Sequence, residues 1–380
     1  MNKIFLFTLI FATTFLSTIK AEETKFDSLI TSGINQIYNL QFNDAEKTFS
    51  NVEAEYPGHP AGKFFDAMIL WWKIMLDLDN EKYDDLFFSK LENTIEFCDD
   101  ILDRDSDNID AIFFKGGSIG FRGRLRALRE SWFKAAVDGK DALPLVYKAA
   151  ELEPENIDVK LGFGIYNYYA DVIPEKYSFA KPLLFFMPEG DREKGIEQLK
   201  TVAEKGKYAK YESRYFLMTL YYGFEENNVE AKKYANMLIE EFPDNPVFQR
   251  YLGRLYVRNG ELEKAKDLFK NIYERSLNGE VGFNEKVERE AAYYIGLSYK
   301  MRHQYDSAKT FFEATVNISE KVDEKDESGF WVNSMIYLGN LSDVEGARSE
   351  AKKYYNAVLK AEEYKDSHDK AKKYLKKPYS

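Results

Sequence analysis

The chain has 380 residues, 31% of them charged, with 64 acidic against 53 basic side chains and a formal net charge of -11. That negative excess argues against nucleic acid and anionic membrane as general partners. Cys98 is the only cysteine, so no disulfide forms within the chain, and the fold must rest on a core drawn from the 44% of residues that are hydrophobic.

Residues 1–21 open with Lys3, continue through an apolar run from Ile4 to Leu16, and reach the small Ala21 ahead of Glu22 and Glu23. The run is shorter than the roughly 20 apolar residues of a membrane span and reads as a secretory signal peptide. The expected mature chain is exported, periplasmic or associated with the cell envelope if the organism is bacterial, and more acidic for the loss of Lys3 and Lys20. No later stretch reaches membrane length.

From residue 22 onward one set of spacings recurs. It is clearest in "VFQRYLGRLYVRNGELEKAKDLFKNI", with Leu252, Gly253, Tyr256, Ala265, Phe269 and Ile272. In chain order, Gly33, Ala45, Phe49, Val52 and Pro57 fit it first, and Ala67 starts a second copy. "SDNIDA" before Gly116 and "PENIDV" before Gly164 mark two more. Met218, Tyr222, Ala231, Leu238 and Pro243 follow; after the copy at Gly253 come Ile295, Gly296, Tyr299, Ala308 and Phe312, then Leu338, Gly339, Ala351, Tyr355 and Val358. This spacing resembles the tetratricopeptide (TPR) repeat, a helix pair of roughly 34 residues with small residues where the helices cross. The resemblance implies an all-α, right-handed TPR-type superhelical solenoid of about eight helix pairs. Residues 22–207 would hold repeats with helical insertions, 208–362 regular repeats, and 363–380 a capping helix and tail.

The longest interval between equivalent small residues holds "PLLFFMPEGDREKG". It is expected as an insertion between a helix ending near Ala170 and one beginning near Asp191, broken into short pieces by Pro174, Pro182 and Pro188. Residues 162–199, with the turn Gly190, Asp191, Arg192, Glu193 and Gly195, also resemble a segment of the inclusion-body-clearance family of TPR proteins. That likeness implies no enzymatic activity.

Catalytic and metal signatures are absent from the sequence. His59, His303 and His368 are scattered and form no ligand set. Asp103, Asp105 and Asp107 have the first three positions of an EF-hand loop, but Asn108 and Phe114 replace its glycine and bidentate glutamate, leaving a turn between repeats. Cys98 falls on the large core position of its helix. No enzyme, cofactor or metal is expected.

The resemblance implies that positions 2, 5, 9 and 12 or 13 of each repeat's first helix line a concave groove. These positions give Arg250, Arg254 and Arg258, a stripe of donors on one helix face suited to carboxylates, and the aromatics Trp71, Trp72, Tyr168, Tyr169, Phe216 and Tyr293. The aromatics either line the groove or pack in the core, and the arginines either bind a ligand or pair with acids on adjacent helices. Arg122, Arg124, Arg126 and Arg129 form a second cluster, placed in the third repeat's insertion, that meets a ligand or pairs internally. The function implied is a non-catalytic scaffold holding an extended protein segment, acidic or C-terminal, in the groove. The alternative is an envelope sugar- or lipid-binding protein that uses the aromatics and the apolar insertion.

Overall fold

The computed structural model describes residues 24–181 and 187–380; the expected signal peptide and residues 182–186, with Pro182, lie outside the described residues. Among the described residues all regular structure is helical, with no strand. The helices are α1 (24–38), α2 (Phe42–Glu55), α3 (Ala61–Leu76), α4 (Asp84–Leu102), α5 (Ile109–Leu128), α6 (Trp132–Leu152), α7 (Lys160–Lys176), α8 (Arg192–Lys205) and α9 (Lys210–Gly223). There follow α10 (Asn228–Glu241), α11 (Pro246–Arg258), α12 (Leu262–Leu277), α13 (Glu285–Met301), α14 (Tyr305–Val322), α15 (Gly329–Val344), α16 (Arg348–Val358) and α17 (Ser367–Lys376). The chain divides into two compact units at Glu225/Glu226, so the repeat marked by Met218 and Ala231 gives α9 to the first and α10 to the second.

Within each unit successive helices pack in pairs, and the sequence template explains the crossing. A Cβ on Gly33 would sit 2.3 Å from the ring of Phe49, one on Gly253 2.6 Å from Phe269, and one on Gly339 2.4 Å from Tyr355. The large residue of the second helix lies directly on the bare backbone of the first, and Phe49, Phe269 and Tyr355 are fully buried. Cys98 occupies the equivalent core place in α4 and is likewise buried.

Turns are specified as locally as the crossings. Leu40, Glu130, Gly260, His303 and Gly346 all have positive φ and lie between the two helices of a pair. Around Gly260, its N–H reaches the Val257 carbonyl and the Glu261 N–H reaches the Tyr256 carbonyl, the paired bonds of a left-handed C-terminal cap. Between repeats, Asn108, Asn156 and Asn245 accept from Ala111, Asp158 and Val247 N–H at 3.0–3.1 Å and start the next helix. The twin "DNID" and "ENID" turns are therefore helix caps.

Two expectations about the insertions are corrected. The extra length after Ala67 and Gly116 is carried by longer helices, α4 of 19 residues, α5 of 20 and α6 of 21 against 14 for α2, and by the connection 77–83 between α3 and α4. The cluster Arg122, Arg124, Arg126 and Arg129 accordingly lies on α5 and just beyond it. Pro174 does not break α7, which runs to Lys176. The proline lies in the last turn, where losing one N–H leaves the Tyr177 N–H to Ile173 carbonyl bond intact at 2.8 Å.

Candidate functional site

In the first unit the face assigned to ligand is interior. Helix α1 meets the segment leading into α9: Lys207 Nζ pairs with Asp27 at 2.6 Å, the Tyr208 hydroxyl also bonds Asp27, and the Tyr38 hydroxyl donates to Glu212 at 3.1 Å. Tyr38 packs on Trp72 and Tyr211 at ring separations of 4.6 and 5.3 Å. Arg124 pairs with Glu212 and lies 4.4 Å over Trp71 and 4.3 Å over Phe216. A guanidinium stacked between two aromatic faces and bonded to one carboxylate fills the space a peptide would need. Trp71, Trp72, Tyr168 and Phe216 are all buried, and Tyr169, half-buried, packs on Phe216 and Phe224.

The other arginines of that cluster also pair internally. Arg122 bonds Glu92 and Asp138, Arg126 bonds the same Asp138, and Arg129 bonds Asp84 and the Leu78 carbonyl. Asp138 is fully buried beneath two guanidinium groups. The turn Gly190–Gly195 has a similar structural task. A Cβ on Gly190 would meet the Asp171 nitrogen at 2.4 Å, the Asp191 N–H donates to the Asn167 carbonyl, and the Asp191 side chain caps α8. Arg192 bonds Glu225, which also accepts from Tyr168. Against the upward push of burial, Arg192 and Tyr168 hold the Glu225 carboxyl below its ordinary value.

In the second unit some of the same positions retain exposure, Arg250, Arg254 and Arg258 on α11 and Lys300 on α13, while Glu290, Tyr293, Ile336 and Asn340 are buried. Arg250 and Arg254 keep 22% of their side-chain surface, and Arg258 is exposed at the end of α11. One carboxylate lies between the first two. Glu290, at position 2 of the next repeat and fully buried, accepts from Arg250 Nε at 2.8 Å and from Arg254 Nε and Nη2 at 2.5 and 2.6 Å. Burial alone would raise its carboxyl; the two guanidinium charges outweigh that and hold it at about 2. Tyr293, at position 5 of α13, is 9% exposed and packs on Phe330 and Tyr337. Lys300 lies 5.0 Å over Tyr337 at the far end of α13.

The structure thus brings Arg250 and Arg254 together through Glu290 and places Tyr293 in the layer beside them, while the first-unit aromatics form a core of their own. Glu290, Lys300 and Asp343 were missed as members of this face. The signal was present, since Glu290 and Lys300 fall at positions 2 and 12 of the template that selected Tyr293. Among the described residues no group of histidine, cysteine and carboxylate side chains could hold a metal, and no helix is long and apolar enough to cross a membrane.

No protein-family model matches the chain, and a comparison with curated proteins finds no relative. Among solved structures, a chain of the APC/C hetero-tetramer Cut9–Hcn1 aligns with a TM-score of 0.55 at 16% identity. The match covers 97% of this chain and 59% of that one. Pseudomonas aeruginosa PilF aligns with a TM-score of 0.38 at 13% identity over 61% of this chain and 90% of its own. Human IFIT1, as a dimer with m7Gppp-AAAA, gives 0.42 at 12% identity over 93% of this chain and 85% of its own. The first likeness supports the TPR fold and nothing finer; the other two score too low to bear on the assignment.

Proposed function

We propose that this tetratricopeptide-repeat chain is an exported, non-catalytic scaffold whose second unit binds an extended acidic protein segment along α11 and the far end of α13, where Arg250, Arg254, Arg258 and Lys300 retain exposure. The observation that carries the reading is charge. In a chain of net charge -11, the ligand-facing positions of α11, α13 and α15 hold Arg250, Arg254, Arg258 and Lys300, against Glu290 and Asp343. Asp343 is engaged by Arg348 of its own repeat at 2.8 Å. Glu290 uses the Nε and Nη2 edges of Arg250 and Arg254 without drawing on Nη1 of either. Guanidinium groups held this way are preorganised, so few side chains need ordering when a carboxylate binds. Export is supported by the character of residues 1–21, and a chain beginning at Glu22 when recovered from its native source is the corresponding check.

The test is a titration of labelled acidic peptides against the chain and its Arg258→Glu and Lys300→Glu variants. Neither substitution removes a guanidinium from which Glu290 accepts in its contact with Arg250 and Arg254. Each reversal is expected to weaken binding by about 2- to 5-fold, the range for partly screened pairs, and added salt to weaken it further. Peptides that bind equally well after every Asp and Glu is changed to Asn and Gln would overturn the acidic-segment reading.

A further inference from the structure

The segment that follows α17 is held against the far end of the same unit. Lys377 leaves the helix in extended backbone, as a residue before proline prefers. The Tyr379 N–H donates to Asp343 Oδ2 at 2.9 Å. Its ring meets Tyr374 edge-on at 5.4 Å, and Lys300 Nζ lies 5.2 Å from the ring centre. Asp343 is a shielded acceptor with 0% side-chain exposure, already receiving Arg348 Nη1 and the Tyr355 hydroxyl. Arg348 also grips the carbonyls of Tyr374 and Leu375 at 2.8 and 2.7 Å.

We infer that the Lys300–Asp343–Tyr374 rim is a docking site for an extended segment in which an aromatic residue follows proline. The chain's own Lys377–Ser380 is its resident occupant. Asp343 recognises a backbone N–H, which any extended segment offers; Lys300 and Tyr374 supply the preference for an aromatic ring. Proline ahead of the ring holds the segment extended before it binds, limiting the ordering loss. A partner segment of this type occupies the rim when the resident one leaves. The rim shares Lys300 and Asp343 with the ligand-facing positions above, but it rests on the contacts of Tyr379 and not on the acidic-segment reading, and the peptides that test it carry no acidic side chain.

The test uses a fluorescein-labelled peptide with the sequence of residues 376–380, KKPYS, and its alanine form KKPAS, added to the full chain and to a chain lacking residues 377–380. A tethered segment competes at an effective concentration on the order of millimolar. The shortened chain should therefore bind KKPYS at least about tenfold more tightly than the full chain does. KKPAS, or Asp343→Asn in the shortened chain, should lose about tenfold or more. Equal binding of both peptides to the shortened chain, or no binding of KKPYS while circular dichroism shows it helical, overturns the inference. If shortening unfolds the chain, Tyr379→Ala in the full chain replaces it. That variant must then bind KKPYS more tightly than the unaltered chain, and failure to do so overturns the inference equally.

Discussion

Replacing Glu290 with glutamine keeps the shape of the side chain and removes the one carboxylate between Arg250 and Arg254. Two guanidinium groups, each with 22% of its side-chain surface exposed, would then face each other across a neutral amide. Breaking a buried ion pair by removing one partner costs about 3–5 kcal/mol, because the remaining charge is left uncompensated. At roughly 1.4 kcal/mol per decade this is a 10²–10⁴-fold increase in local opening. Hydrogen exchange read by mass spectrometry on the full chain localises the effect. Peptides covering α11 and α13 should exchange faster by that factor, with α5 unchanged. A change below tenfold, or an equal change in α5, would refute the assignment of Glu290 as the centre of this contact. The pH dependence follows the same residue. Because its carboxyl is held down to about 2, its stabilising contribution is complete above the ordinary glutamate value near 4.3 and fades as pH falls towards 2. Glu290→Gln and the unaltered chain should therefore converge in stability through that window.

Gly260 has φ +72 and nothing within 4 Å of where a Cβ would sit, so Gly260→Ala isolates backbone strain. Thermal or urea unfolding should show a loss of about 1–2 kcal/mol, whereas Gly58→Ala, equally open but with no positive φ, should lose none of it. Burial, reinforced by Asp99, pushes the Cys98 thiol up to about 12. The native chain at pH 8 should therefore react with a thiol reagent at least about a hundredfold more slowly than the unfolded chain. Fast native labelling would mean that α4 opens readily.

The repeat frame was legible because it is local. Gly33 and Phe49, or Gly253 and Phe269, lie 16 positions apart on the two helices of one pair, and each pair states its own packing rule in the sequence. The capping asparagines were visible as turns, though their role as acceptors emerged only with the helix starts in place. What sequence spacing does not carry is the partner of a charge. Arg254 and Glu290 belong to different repeats, and Arg124 and Glu212 are 88 residues apart, so choosing between a ligand and an internal acid needs the stacking of one repeat on another. Burial of the aromatics was hidden for the same reason: Trp71 and Trp72 stand at groove positions, and the contact of α1 with α9 turns those positions inward. Pro174 misled because a rule for helix interiors was applied to a last turn.

The meeting of α1 with α9 has a kinetic side. In a linear repeat array each unit touches only its neighbours, so folding can begin anywhere and spread, and repeats can be added or lost with little effect on the remainder. Bonds such as Tyr38 to Glu212 and Tyr208 to Asp27 join residues 174 and 181 positions apart. Such contacts form only after a long loop has closed, which raises contact order and slows folding. The first unit should therefore assemble as one cooperative block that tolerates no deletion of an internal repeat, because a missing pair would leave Tyr38 and Asp27 without their partners.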